Sequence, residues 1–332
     1  MLNLLERLVN ADGVSGNEEK VRDIILHEIK KYVDEVNVDK MGNVIARKKG
    51  KKPTIALVAH MDEVGLMVKA IEDSGRIRFI TIGGLEPAVA LSQRVDINGI
   101  KGIVTTELVE KGIVLETLPK LEDMFIDTGL DKKAIQKRIR IGDYATFYQE
   151  PFCILGNENM ISGKSLDDRV GCYVLLEIAK KAKSIKSEII FIFTVQEEIG
   201  MHGAGASVYN LDPDYAIIID AENHEDEGGE KIVGQGPFIT IKDSSTITSR
   251  KLNEVLEKIA KELSLNLQRD VSDFGSTDAL KISLAKGGIP STVLGFFVKN
   301  IHCPVSIADM RDINNLIKIL EEFLKDPPKH II

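Results

Sequence analysis

The stretch TIALVAHMDE, residues 54–63, starts as a nearly continuous apolar run and ends in an imidazole and two carboxylates. A run of that kind, without polar alternation, reads as a central sheet strand covered on both faces. Three further runs share the character: Glu188 to Val195, Tyr215 to Ile219 and Pro290 to Phe296. Helical patterns lie between or after them, at about Arg169 to Lys183, Arg250 to Leu263 and Asp309 to Leu324. Strands and helices therefore alternate in the α/β manner, which predicts a mixed, mainly parallel central sheet with helices on both faces.

Two amphipathic helices open the chain, one through Leu2, Leu5 and Leu8 and one through Val21, Ile25 and Ile29, separated by a turn at Gly13 to Gly16. The region from Leu66 to Gly156 differs, with short alternating pieces, many glycines and one helical pattern near Asp131 to Ile139. It predicts an inserted, small β-barrel-like domain over 66–156, interrupting a main domain made of 1–65 and 157–332. The length of 332 residues suits two units, each able to bury a core.

A net charge of −8 argues against nucleic acid, which needs clusters of lysine and arginine that are missing here. The densest basic run, Lys48 to Lys52 around Gly50, reads as a solvated turn. Cys153, Cys172 and Cys303 are scattered, odd in number and without CxxC spacing, as in a reduced cytoplasm. The opening MLNLLERLVNADG lacks the form of a signal peptide, and later apolar runs are too short for a bilayer, so the expectation is a soluble cytoplasmic protein with no membrane partner.

Chemistry gathers at the strand ends. His60 and Asp62 lie two residues apart on one strand face, so the histidine can ligate a metal while the carboxylate accepts its other ring N–H. Taken alone, such a histidine is more often structural. Asp167 and Asp168 stand where a loop enters a helix; adjacent acids make ordinary N-caps, yet one carboxylate can also bridge two cations about 3.5–4 Å apart. Glu197 and Glu198 follow an apolar strand, and the pleat points them differently, so one can bind metal while its neighbour takes a proton from water. Asp220 ends another strand, with Glu222 and His224 close behind in a locally acidic loop running to Glu230, and His302 precedes the last helix. Three apolar strands thus end in metal-type residues at the edge where open α/β sheets hold ligands.

In order, GVSGNE (13–18), HMDEVG (60–65), Gly83-Gly84, SLDDRVG (165–171), QEEIG (196–200), Asp220, STDA (276–279) and IHCPV (301–305) resemble the M42 family of metallo-aminopeptidases, which includes TET and deblocking aminopeptidases. The likeness spans almost the whole chain and implies a zinc-peptidase-like main domain. It further implies that His60, Asp167 and Asp220 hold one metal, that Asp167 bridges, and that Glu198 and His302 complete a second site. Glu197 is then the general base, Asp62 orients His60, and a cis peptide follows Asp167. Zinc or cobalt as two divalent ions per subunit, short peptides as substrates, and a homo-oligomer from a dimer through the insertion to a tetrahedral dodecamer are implied likewise.

The chain departs from the family after Asp220, where Ala-Glu-Asn-His-Glu replaces a second aspartate and a proline-glycine turn, and at Val298-Lys299-Asn300, which replaces Arg-Tyr. The activity implied is a co-catalytic aminopeptidase in which Glu197 activates a metal-bridging water. Three alternatives stay open: a metal-dependent deacylase, an endoglucanase (the label some family members carry) and a non-catalytic binding protein. The absence of tryptophan disfavours a sugar cleft, and the presence of Glu197 and Asp167 disfavours a binding protein.

Overall fold

A computed structural model describes residues 2–113, 117–148, 152–225 and 231–329. The acidic loop expected over 222–230 lies outside the described residues from 226 onward. The four apolar runs form strands Lys51–His60, Ser187–Thr194, Tyr215–Ile218 and Ser291–Val298. They lie side by side in a nine-stranded sheet with the order Ser187–Thr194, Lys51–His60, Tyr215–Ile218, Ser291–Val298, and all three of these contacts are parallel. Antiparallel neighbours flank this centre: Val44–Lys48 on one side and Phe238–Lys242 on the other.

The absence of alternation has the expected cause, because successive side chains enter two different cores. Ile55, Leu57 and Ala59 pack with the helices Leu2–Asn10, Leu166–Lys181 and Met310–Lys325 on one face. Ala56 and Val58 pack on the other, with the short helices His202–Ser207 and Ala279–Ser283. A strand buried on both faces has no polar side to show.

Register fixes the working edge. His60 sits opposite Thr194, and the chain continues across the sheet end with Met61 donating its N–H to the Thr194 carbonyl at 2.7 Å. Ile218 pairs with Val58, and Ile219 donates to the Val58 carbonyl at 2.7 Å. The residues that follow these strands, Asp62, Glu197, Glu198 and Asp220, are therefore delivered to one end of the sheet.

Immediately after His60 the chain enters a closed six-stranded barrel built from strands between Gly65 and Phe147. It has its own core, including Leu66, Val68, Val95, Ile126 and Ala145. The one helix expected there is a single turn, Lys132–Ile135, and two further turns, Pro87–Ala90 and Glu107–Glu110, escape the sequence reading. Each is too short to carry a helical period. Two of them are defined by caps, with the Thr106 and Asp131 side chains accepting the N–H of Val109 and Ala134.

Candidate metal centre

Asp167 is the hub of the strand-end residues. His60 Nε2 lies 3.0 Å from Asp167 Oδ1 and 3.6 Å from Asp220 Oδ1. His302 Nε2 lies 3.4 Å from Asp167 Oδ2 and 3.2 Å from Glu198 Oε2. Two ligand sets result, His60–Asp167–Asp220 and Asp167–Glu198–His302, and each has one imidazole and two carboxylates whose ligand atoms all fall within 4.8 Å. Their shared member offers a different oxygen to each.

The two adjacent aspartates divide their work. Asp168 turns away from the cluster, accepting the His60 backbone N–H at 3.3 Å and the Gly171 N–H at 3.0 Å, as an acid at a helix entrance does. The peptide between Asp167 and Asp168 is cis, and both residues lie outside helical backbone angles. Arg169, fully buried, donates to the carbonyls of Leu8 and Ala11, tying the first helix to this entrance.

Asp62 is completely buried behind His60. Its Oδ1 lies 3.5 Å from His60 Nδ1 without making a hydrogen bond; its strong partners are Ser15 Oγ at 2.6 Å and the backbone N–H groups of Glu197 and Glu198 at 3.0 and 3.1 Å. His302 is oriented from the barrel side, where the Gly84 carbonyl accepts its Nδ1–H at 2.8 Å and leaves Nε2 facing Asp167 and Glu198. In the sequence Gly84 stands out only as part of the Gly83-Gly84 motif, because a backbone carbonyl leaves no mark on residue type.

Charge decides what this arrangement can hold. Asp62, Asp167, Asp168, Asp220 and Asp278 are all buried around one edge, with Glu197 and Glu198 beside them and two histidines as the nearest cations. Burial pushes the Glu197 carboxyl well above its usual range, and Asp220, Asp278 and Glu198 push the same way. At His302 burial opposes protonation, but Asp167 and Glu198 outweigh it and hold the imidazolium to about 11. Asp167 itself, although burial works against its charge, is kept ionised by hydrogen bonds from His302 and His60. Buried carboxylates this dense require compensation, and a donor set of imidazole and carboxylate fits divalent zinc, cobalt or manganese. The residues present therefore fit two cations.

Beside the ligand sets an open cavity of about 400 Å³ is bordered by Glu197, Met201, Glu222, Thr277 and Ile301 as well as the ligands.

The family model of M42 glutamyl aminopeptidases matches residues 42–319. The chain belongs to the M42 aminopeptidase family. A relative described as a putative aminopeptidase of Acetivibrio thermocellus is 40% identical over 97% of this chain and 98% of its own. Among solved structures, the aminopeptidase APDkam598 of the archaeon Desulfurococcus kamchatkensis superposes with a TM-score of 0.93 at 33% identity, covering 99% of this chain and 95% of that one. The TET1 peptidase of Pyrococcus horikoshii, described as assembling into a tetrahedron or a large octahedral shell, gives 0.88 at 29% identity, with coverage of 97% and 98%. This M42 protein is accordingly a peptidase of the hydrolase class, with the family's sheet-plus-barrel fold. Among the described residues no helix is long and apolar enough to cross a membrane.

Proposed function

We propose that this M42 protein is a co-catalytic aminopeptidase that releases N-terminal residues from short peptides, with Glu197 as the general base. The observation that carries the reading is that two ligand sets share Asp167 while Glu197, on the same cavity, belongs to neither. Two divalent ions, zinc or cobalt, held by His60, Asp167 and Asp220 and by Asp167, Glu198 and His302, would polarise the scissile carbonyl and acidify water. Glu197 takes the proton of the attacking water and returns it to the departing amine; a carboxylate made more basic by burial and by neighbouring acids is suited to that transfer. Glu198, one residue on, stays turned to His302. Asp62 acts from behind, its carboxylate set beside the His60 ring on one side and holding the backbone N–H of Glu197 on the other. The acidic wall attracts a free ammonium, which restricts cleavage to N-termini.

We assign subunit assembly to the barrel: the insertion over 66–156 serves as the dimerisation domain of a homo-oligomer, from a dimer up to a tetrahedral dodecamer. Its exposed Ile103, Ile141 and Tyr148 suit a covered surface, as does the assembly described for the Pyrococcus horikoshii relative. Light scattering of the purified chain reads this directly, and a monomeric mass overturns it. The three cysteines are unpaired, which accords with work in a reducing cytoplasm.

Hydrolysis of aminoacyl-p-nitroanilides tests the activity, with N-acetylated substrates and carboxymethylcellulose as controls, before and after chelation and refilling with zinc or cobalt. Cleavage of free-amine substrates alone, lost on chelation and regained with metal, is the expected result. Release of acetate from the acetylated substrates, with the anilide bond left intact, would make the protein a deacylase instead, and release of p-nitroaniline from them would overturn the requirement for a free N-terminus.

A further inference from the structure

The Ser15-Gly16-Asn17-Glu18 turn joins the first two helices, Leu2–Asn10 and Glu19–Ile29. Glu18 stands at the N-cap of the second helix, where a carboxylate ordinarily accepts N–H groups of its own first turn. It makes no such bond. Only 4% exposed, it turns inward and accepts the backbone N–H of Gly16 at 2.7 Å and that of Gln196, 178 residues away, at 3.3 Å.

Gln196 belongs to the elbow that leaves the Ser187–Thr194 strand and carries Glu197 and Glu198. It has a left-handed backbone with φ +56°, which a non-glycine residue adopts only where its surroundings hold it. Those surroundings are distinctive. Four consecutive N–H groups, 195 to 198, each point at a side-chain oxygen brought from elsewhere in the chain: Asn43 at 2.9 Å, Glu18 at 3.3 Å, and the two oxygens of Asp62 at 3.0 and 3.1 Å. The carbonyls of the same elbow are met from downstream, by the N–H groups of Gly203, His202 and Gly200. All three acceptor residues are buried. The N–H side of the elbow is therefore held by these three residues, and Glu18 is the acceptor for the N–H of Gln196, the left-handed residue.

We propose that Glu18 is a positioning residue for the hydrolysis: by accepting the Gln196 N–H it fixes the left-handed turn that aims Glu197 at the cavity. This rests on the reading of Glu197 as the general base. Ser15 reinforces the same device, since its hydroxyl donates to Asp62 Oδ2 at 2.6 Å, so one turn supplies both Glu18 and a brace for the acceptor next to it.

The test compares Glu18→Met, which keeps the volume without an acceptor, with Glu18→Gln, which keeps the acceptor without the charge; Glu18→Ala replaces the first should it not fold. In the metal-loaded full-length enzyme Glu18→Met is expected to lower kcat by about tenfold to a hundredfold, the cost of misplacing a reacting group, with KM and metal content unchanged. Glu18→Gln stays near wild type. In the metal-free chain, amide hydrogen exchange of the peptide spanning 195–199 speeds up in Glu18→Met and not in Glu18→Gln. Glu197→Gln and the double variant run beside them: a misaimed base that is already absent costs nothing further, so the double variant matches Glu197→Gln. Full kcat in Glu18→Met beside an inactive Glu197→Gln overturns the positioning role and leaves the base standing. An active Glu197→Gln overturns the base reading itself, and unchanged exchange overturns the elbow account whatever the kinetics.

Discussion

Asp62 accepts the backbone N–H of Glu197 at 3.0 Å while its carboxylate lies 3.5 Å from the ring of His60. One buried side chain thus touches both the proposed base and a residue of the first ligand set, and it also accepts the Glu198 N–H. Removing it leaves two N–H groups and the Ser15 hydroxyl without their partner in a dry interior. Asp62→Ala is expected to weaken metal binding at the His60–Asp167–Asp220 set by roughly 10–100-fold, the usual cost of losing a group that supports a ligand. Calorimetric titration of the metal-free chain checks this; wild-type affinity would show that His60 and the elbow are held without Asp62.

Gly295 gives a test of packing behind Asp220. A methyl group added there would stand 2.3 Å from the Asp220 carbonyl oxygen and 2.3 Å from the Phe238 ring. The first obstacle is backbone and the second is a buried ring stacked on Phe297, so neither yields easily. Gly295→Ala is expected to destabilise the chain by about 1–3 kcal/mol and to displace Asp220 from its ligand set. Denaturant unfolding and metal content measured on the same sample report the two effects.

Glu18 also makes a pH prediction for the metal-free chain. Burial, aided by the nearby charge of Asp62, raises its pKa from the ordinary 4.5 to about 7. An acid whose folded pKa is raised costs nothing while both states are protonated, below 4.5, and its penalty grows as the unfolded chain ionises first. The penalty is complete above 7. Glu18→Gln should therefore gain stability relative to wild type as pH rises from about 4.5 to 7, and hold that gain above it. Urea unfolding of both chains at several pH values measures the difference; a difference independent of pH would mean that Glu18 ionises normally.

Much of this arrangement is legible in residue order because strand ends are simple to read. The apolar runs ending at His60, Thr194 and Ile218 show their two-sided burial in composition, and a sheet with parallel neighbours in register carries their ends to one edge. His60, Asp167, Glu198, Asp220 and His302, which the sequence offers from five separate places, meet around that edge in two sets. What the sequence conceals is the support. Glu18 reaches Gln196 across 178 positions, Asn43 reaches Val195 across 152, and the Gly84 carbonyl reaches His302 across 218. Contacts of that kind have no period, and a backbone acceptor has no residue type. The sequence likewise treats Asp167 and Asp168 as a pair, whereas a change of backbone direction between them sends one to the ligand sets and the other to the helix entrance.

The most direct measurement is steady-state hydrolysis of a free-amine aminoacyl-p-nitroanilide by Glu197→Gln, on protein whose metal content has been determined beforehand. Two ions bound as in wild type, with kcat lowered by roughly 10²–10⁴-fold, is the result predicted for the loss of a general base that is not a ligand. Activity within about tenfold of wild type at full metal content would contradict the assignment of Glu197, because general-base catalysis contributes more than that.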